Sequence, residues 1–108
     1  MKFYSTNNKN LNSTFKEALF LGMPEDRGLF MPQHIPDLSK TFIQNSNMNF
    51  KEIGYLIASK FIGDELSKND LYDIVDKSIT FDAPNKHIYD SVYCLELFHG
   101  PTLAFKDF

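Results

Sequence analysis

The sequence predicts an α+β domain, with three or more helices and short strands around them. Three observations predict it. Helix-starting signals stand at Thr14, Asn49 and Ser67. Apolar residues recur at spacings of three and four between Phe50 and Ile79, the period of a helix face. Residues that favour strands gather near the two ends, at Phe3–Thr6 and at Val92–Phe98.

The elements follow in order. Phe3 to Thr6 reads as a short strand, and Asn7 to Asn12 as a polar loop. Thr14-Phe15-Lys16-Glu17 is a capping box: the Thr hydroxyl accepts a free backbone N–H and the Glu carboxylate reaches back. A helix over Phe15–Leu21 follows, with Gly22 as its stop. Pro24 to Arg27 is a turn, and Gly28 to Pro32 a short extended segment. Pro32 and Pro36 disfavour helix there. Leu38 to Gln44 is a short helix, and Gln44 to Met48 a polar loop.

Asn49 caps the next helix, with Glu52 at the box position. Phe50, Ile53, Ile57 and Phe61 form its apolar face, and Gly63 ends it. Ser67 to Asp70 opens a further helix, whose expected buried stripe is Leu71, Ile74, Val75 and Ile79. Asp82 to Lys86, with Pro84, reads as a turn. Val92 to Leu97 at least is expected to be a strand. His99-Gly100-Pro101-Thr102 is a tight turn, after which Thr102 could cap a helix beginning near Leu103. That helix has little room before Phe108, so the chain is expected to be a piece of a longer polypeptide.

Composition narrows the function classes. With 108 residues the chain has the length of one domain with one modest core, and 43% hydrophobic residues exclude a disordered composition. The net charge of -3, with Lys and Arg scattered, gives no electrostatic footprint for nucleic acid. The single cysteine, Cys94, rules out an intrachain disulfide and reads as a small core residue in an apolar run. His34, His87 and His99 are too far apart to make a zinc pattern, so no metal is expected. The start, Met1 to Thr6, leads into Asn-rich sequence without the apolar core of a signal peptide. No apolar run is long enough for a membrane span, so a soluble cytoplasmic protein is expected.

A lysine near a helix start is a weak signal alone, because most lysines are simply solvated. The run Glu96-Leu97-Phe98-His99-Gly100-Pro101-Thr102-Leu103-Ala104-Phe105-Lys106-Asp107-Phe108 is specific. It resembles the cofactor-lysine motif of the threonine synthase family, of the form E-L-F-H-G-P-T-x-A-F-K-D-F. Two further stretches resemble the same family in its order: Phe3-Tyr4-Ser5-Thr6 its Y-x-S-T opening, and Gly28-Leu29-Phe30-Met31-Pro32 its G-L-F-x-P segment. Ala58 to Asp64 also fits the family's N-terminal helices. Arg27 departs from the small residue or glycine that many members carry before Gly-Leu-Phe.

The resemblance implies a pyridoxal-phosphate enzyme that converts O-phospho-L-homoserine and water to L-threonine and phosphate. It implies a small N-terminal α+β domain over residues 1–90. Residues 91–108 would then be the first strand, turn and helix start of a larger α/β catalytic body of the tryptophan-synthase-β kind, fold type II. Lys106 would hold the cofactor covalently and afterwards shuttle protons at the substrate carbons. Lysine suits this because its amine is nucleophilic once deprotonated, a form that burial favours.

Other residues take shared readings. Phe105 would pack on the cofactor ring or anchor the helix in the core. Thr102 would bond substrate or cap the helix. Asp107 would sit at a helix start, where negative charge is favourable. His99 is expected to be a structural histidine bonded to nearby backbone. Glu96 would pair with a basic group elsewhere in the polypeptide.

The phosphate-binding loops and the pyridine-nitrogen contact would lie beyond these residues, so the 108-residue chain alone is expected to be inactive. It is also expected to self-associate through apolar surface meant for the remainder of its own chain. A threonine-synthase-like phospho-lyase with another substrate, or a non-catalytic interaction module, remains the alternative.

Overall fold

A computed structural model describes residues 1–45 and 47–108. The polar loop expected over Gln44–Met48 includes Ser46, which lies outside the described residues. The elements run β1 (Phe3–Ser5), α1 (Phe15–Leu21), β2 (Phe30–Pro32), α2 (Ser39–Gln44), α3 (Phe50–Ile62), a 3-10 turn (Gly63–Glu65), α4 (Lys68–Ser78), β3 (Asn85–Tyr89), β4 (Val92–Leu95) and a second 3-10 turn (Phe105–Asp107). The chain is thus a small α+β domain.

The helices begin where the local chemistry says they should. Thr14 accepts from the Glu17 N–H at 3.1 Å while Glu17 accepts from the Thr14 N–H at 2.7 Å. Asn49 and Glu52 repeat the arrangement at α3. Ser67 accepts from the Asp70 N–H at 3.1 Å and so caps α4. Each cap satisfies donors that would otherwise be lost at a helix start, and is worth about 1 kcal/mol. Gly22 and Gly63 end α1 and α3 with φ of 69° and 64°.

A second bond to α1 comes from far away in sequence. The Glu65 carboxylate accepts from the Phe15 and Lys16 N–H groups at 2.9 and 3.0 Å. These bonds, the one to Lys16 foremost, hold the Glu65 carboxyl below its ordinary range. They fasten the start of α1 to the turn that follows α3.

β1 and β2 pair antiparallel, with Phe3 opposite Pro32, Tyr4 opposite Met31 and Ser5 opposite Phe30. Ser5 is wholly buried. Its hydroxyl donates to Asp26 Oδ1 at 2.6 Å, and the Gly28 N–H donates to the same oxygen at 2.9 Å. Thr6 completes the brace: its N–H donates to the Leu29 carbonyl, and its hydroxyl accepts from the Leu29 N–H. Gly28 leaves room for this approach, because a Cβ there would stand 2.1 Å from Ser5 Oγ. The two N-terminal motifs noted in the sequence therefore form one structure. Arg27, the departure between them, has φ 62°, in the left-handed region that glycine occupies at least cost.

α3 packs along α4 with the Tyr55 and Tyr72 rings edge to face at 5.9 Å. Leu71 and Val75 are buried there, 3% and 8% exposed. Phe50, Ile53 and Phe61 are half-buried on α3. Two positions depart from the expected stripes: Ile74 is 49% exposed, and Ile57 also faces solvent. α4 packs chiefly on α3, so the contact is narrower than the apolar stripe.

The C-terminal third corrects the sequence reading in three places. The turn expected over Asp82–Lys86 gives way at Asn85, where β3 begins. β3 and β4 form an antiparallel hairpin around Asp90, whose φ is 45°. β4 stops at Leu95 and not at Leu97 or beyond, although the Glu96 N–H still donates to the Pro84 carbonyl. Cys94 is exposed and not a core residue, because every residue of both strands faces solvent. The same holds for Leu19, Phe20, Leu21 and Met23 around the end of α1. Only Phe3, Leu71 and Val75 are buried hydrophobics among the described residues, so a large apolar surface is left uncovered.

Candidate active site

The lysine motif forms a closed loop at the end of the hairpin. After β4, Glu96 and His99 face each other across one turn of chain, with His99 Nε2 at 2.7 Å from Glu96 Oε2. His99 is therefore tied to a side chain and not to backbone, and the partner expected for Glu96 from elsewhere is His99 itself. The Phe98 and His99 rings lie 4.5 Å apart, centre to centre. Residues 100–103 then make a tight turn, closed by the Leu103 N–H to the Gly100 carbonyl at 3.1 Å.

Thr102 does not cap a helix. Its N–H donates to Asp107 Oδ2 at 2.8 Å and its hydroxyl to Asp107 Oδ1 at 2.7 Å. The expected helix is a single 3-10 turn that starts at Phe105, behind an Ala104 that offers no side-chain cap. Asp107 lies in that first turn, with its carboxylate turned back onto Thr102. The Thr102 hydroxyl, then the backbone N–H groups of Thr102 and Ala104, hold the Asp107 carboxyl below its ordinary range.

Lys106 sits in the middle of this turn and is exposed. Among the described residues it makes no ion pair or side-chain hydrogen bond. Phe105 is 69% exposed and so is no core anchor within this chain. Phe108 packs on two rings from distant elements, Phe50 at 6.0 Å and Phe81 at 4.9 Å. The lysine is thus followed by a residue bound into the loop, Asp107, and then by one stacked against the start of α3, Phe108.

The loop offers a free primary amine on a fixed turn, with an aromatic ring beside it. That fits a covalent attachment point for an aldehyde cofactor. A phosphate group would need a cradle of N–H donors, and the Thr102 N–H is already bonded to Asp107. A hollow of about 770 Å³ lies elsewhere, bordered by Thr41, Asn49, Tyr55, Ser59, Tyr72 and Asp76. Among the described residues no group of three or more His, Cys, Asp or Glu is placed to hold a metal, and no helix is long and apolar enough to cross a membrane. Asp107, read from the sequence only as a favourable charge at a helix start, organises the loop. Its signal was the five-residue spacing to Thr102, which a helix reading conceals.

The chain was compared with known proteins. A family model described as "Threonine synthase N terminus" matches residues 2–79. The threonine synthase of Escherichia coli strain K12 is 40% identical over 109 residues, covering 100% of this chain and 26% of that protein. That of Buchnera aphidicola subsp. Acyrthosiphon pisum is 41% identical over 110 residues, with the same coverage of 100% and 26%. The crystal structure of the Escherichia coli threonine synthase superposes with a TM-score of 0.90 at 40% identity, covering 100% of this chain and 26% of that one. A pyridoxal-phosphate-bound threonine synthase from Brucella melitensis gives a TM-score of 0.90 at 33% identity, covering 99% and 24%. The chain spans about a quarter of the length of these relatives.

Proposed function

The chain belongs to the threonine synthase family through that family's N-terminal region, and from this premise we propose that it carries the lysine-bearing wall of a threonine synthase active site. The observation that carries the reading is the exposed side chain of Lys106, without an ion pair among the described residues, on a turn held by Asp107 and Phe108. Agreement with threonine synthases along the whole chain supports it. The reaction is the conversion of O-phospho-L-homoserine and water to L-threonine and phosphate, in a full-length protein of fold type II located in the cytoplasm. Residues 1–90 form its accessory N-terminal domain, and residues 91–108 open the catalytic body. The uncovered apolar side chains of α1 and of the hairpin pack against the remainder of that polypeptide.

Bound pyridoxal phosphate supplies the electron sink that stabilises negative charge at the substrate carbons. Lys106 holds the cofactor through its amine, and Phe105 lies beside the ring. The Lys106 amine would also be the group that moves protons at the substrate carbons. Thr102 has both donors engaged by Asp107, so its hydroxyl can offer substrate only an acceptor lone pair.

Borohydride reduction of the full-length protein with pyridoxal phosphate, followed by peptide mapping, tests the lysine. The pyridoxyl group is expected on Lys106, and finding it on any other lysine overturns the assignment. Formation of threonine from phosphohomoserine tests the substrate. Turnover of a different phosphorylated amino acid in its place would favour a related phospho-lyase.

A further inference from the structure

We propose that Asp107 is a positioning residue for Lys106, its carboxylate locking the 100–107 loop so that the lysine stem leaves the turn in one direction. The proposal rests on the reading of Lys106 as the cofactor lysine and adds to it how the amine is aimed.

The geometry is specific. Both carboxylate oxygens of Asp107 are used, one on the Thr102 N–H and one on the Thr102 hydroxyl, at 2.8 and 2.7 Å. The Asp107 N–H donates to the Ala104 carbonyl at 3.1 Å, so side chain and backbone both close the loop. The carboxylate lies over Gly100, which is buried. A Cβ at Gly100 would stand 2.3 Å from the Asp107 Cβ and 2.4 Å from its Oδ2, so glycine here makes the space the aspartate fills.

The loop also contains Leu103 at φ 57°, a conformation that leucine adopts only when its surroundings hold it there. The bonds on Thr102 and on Asp107 lie on either side of it and supply that hold. The aspartate lies in the first turn after Ala104, with both carboxylate oxygens directed back onto Thr102. Its lowered pKa agrees with a carboxylate engaged as an acceptor.

The consequence falls on the residue just before it. Lys106 is bonded into the chain between Asp107 and Phe105, with Phe108 stacked on Phe50 and Phe81 beyond. Fixing 107 and 108 fixes the direction in which the Cα–Cβ bond of Lys106 points. A reacting amine displaced by about 1 Å loses roughly a hundredfold in rate.

The test uses Asp107→Asn and Asp107→Ala in the full-length protein. Asn keeps one acceptor and Ala keeps none, so a graded effect is expected. In threonine formation, kcat is expected to fall by about tenfold for Asn and about a hundredfold for Ala, with KM for phosphohomoserine changed by less than about twofold. In cofactor-free protein, acylation of Lys106 by acetic anhydride, read by peptide mass mapping, is expected to change by about threefold or more, while Lys60 on α3 keeps its rate. Should the Ala variant fail to fold, the Asn variant carries both measurements. An unchanged kcat together with unchanged Lys106 labelling would overturn the proposal. So would a loss seen equally in KM and in the labelling of Lys60. Borohydride mapping to another lysine would instead overturn the functional reading, while the labelling result still reports on the loop.

Discussion

The N-terminal brace and the C-terminal tail are held by bonds of different reach. In the brace, Ser5 binds Asp26, Thr6 binds Leu29, and Glu65 binds the start of α1, each across twenty or more residues. In the tail, the bonds span three to five residues: His99 to Glu96, and Thr102 to Asp107. Among the described residues the tail meets the body chiefly through the packing of Phe108 on Phe50 and Phe81. Long-range bonds make the brace part of the cooperative fold. Local bonds give the tail a shape without making it share the stability of the rest. A lysine can thus be aimed by its own loop while the loop as a whole remains free to settle against a second surface.

The comparison breaks most visibly at Gly28. Gly28→Ala puts a methyl on Ser5 Oγ and close to the Asn7 backbone, and a loss of about 2–3 kcal/mol is expected by urea unfolding of the full-length protein. An unchanged midpoint would mean that the brace contributes nothing to the cooperative unit. Phe108→Ala should act differently. It removes a partly exposed ring, so about 1 kcal/mol is expected. Faster amide exchange should be confined to residues 100–107, and acceleration spread over α3 and α4 would deny the tail its independence.

Acid should separate the regions by where it acts. Glu65 and Asp107 both have carboxyls held below their ordinary values by hydrogen bonds. Each contribution is therefore present in full above the ordinary carboxylate range and is lost as pH falls through the lowered value. Protonating Glu65 should lower global stability, and Glu65→Gln should remove that part of the pH dependence at a cost of about 0.5–1 kcal/mol at neutral pH. Protonating Asp107 should loosen only the tail, seen as amide exchange at Thr102. Loss of both at one midpoint would merge the two regions. The smallest effect is expected at Arg27: Arg27→Gly relieves a left-handed backbone but adds unfolded-state freedom, so the midpoint should shift by less than about 1 kcal/mol.

What the sequence made legible follows the same division by reach. The caps at Thr14, Asn49 and Ser67 were readable because both partners lie within one helical turn. The helix stops at Gly22 and Gly63 were readable for the same reason. The Glu65 bond to α1 was not, since nothing local marks a partner fifty residues away. Asp90-Ser91 is a weaker turn signal than a glycine pair, so β3 was taken in part for a turn. Cys94 and Ile74 were misjudged because apolar sequence predicts burial whether or not the covering surface is present. At the site, the run that resembles the family's motif was legible and the bonds within it were not. A Thr followed by helix-compatible residues looks like a cap, and only the fold shows its donors turned to Asp107.

The glycine at position 28 has one more implication, for how β1 finds its partner. A ladder of three residue pairs specifies its alignment poorly, and sliding by one residue would turn every side chain to the opposite face. The Ser5 hydroxyl occupies the hollow that Gly28 leaves, and a slipped strand would bring Tyr4 or Thr6 there instead. Tyr4 is too large for that space, and Thr6 would abandon both of its bonds to Leu29. One missing side chain thus acts as a key slot for the pairing, and residues 5 and 28 can change size only together.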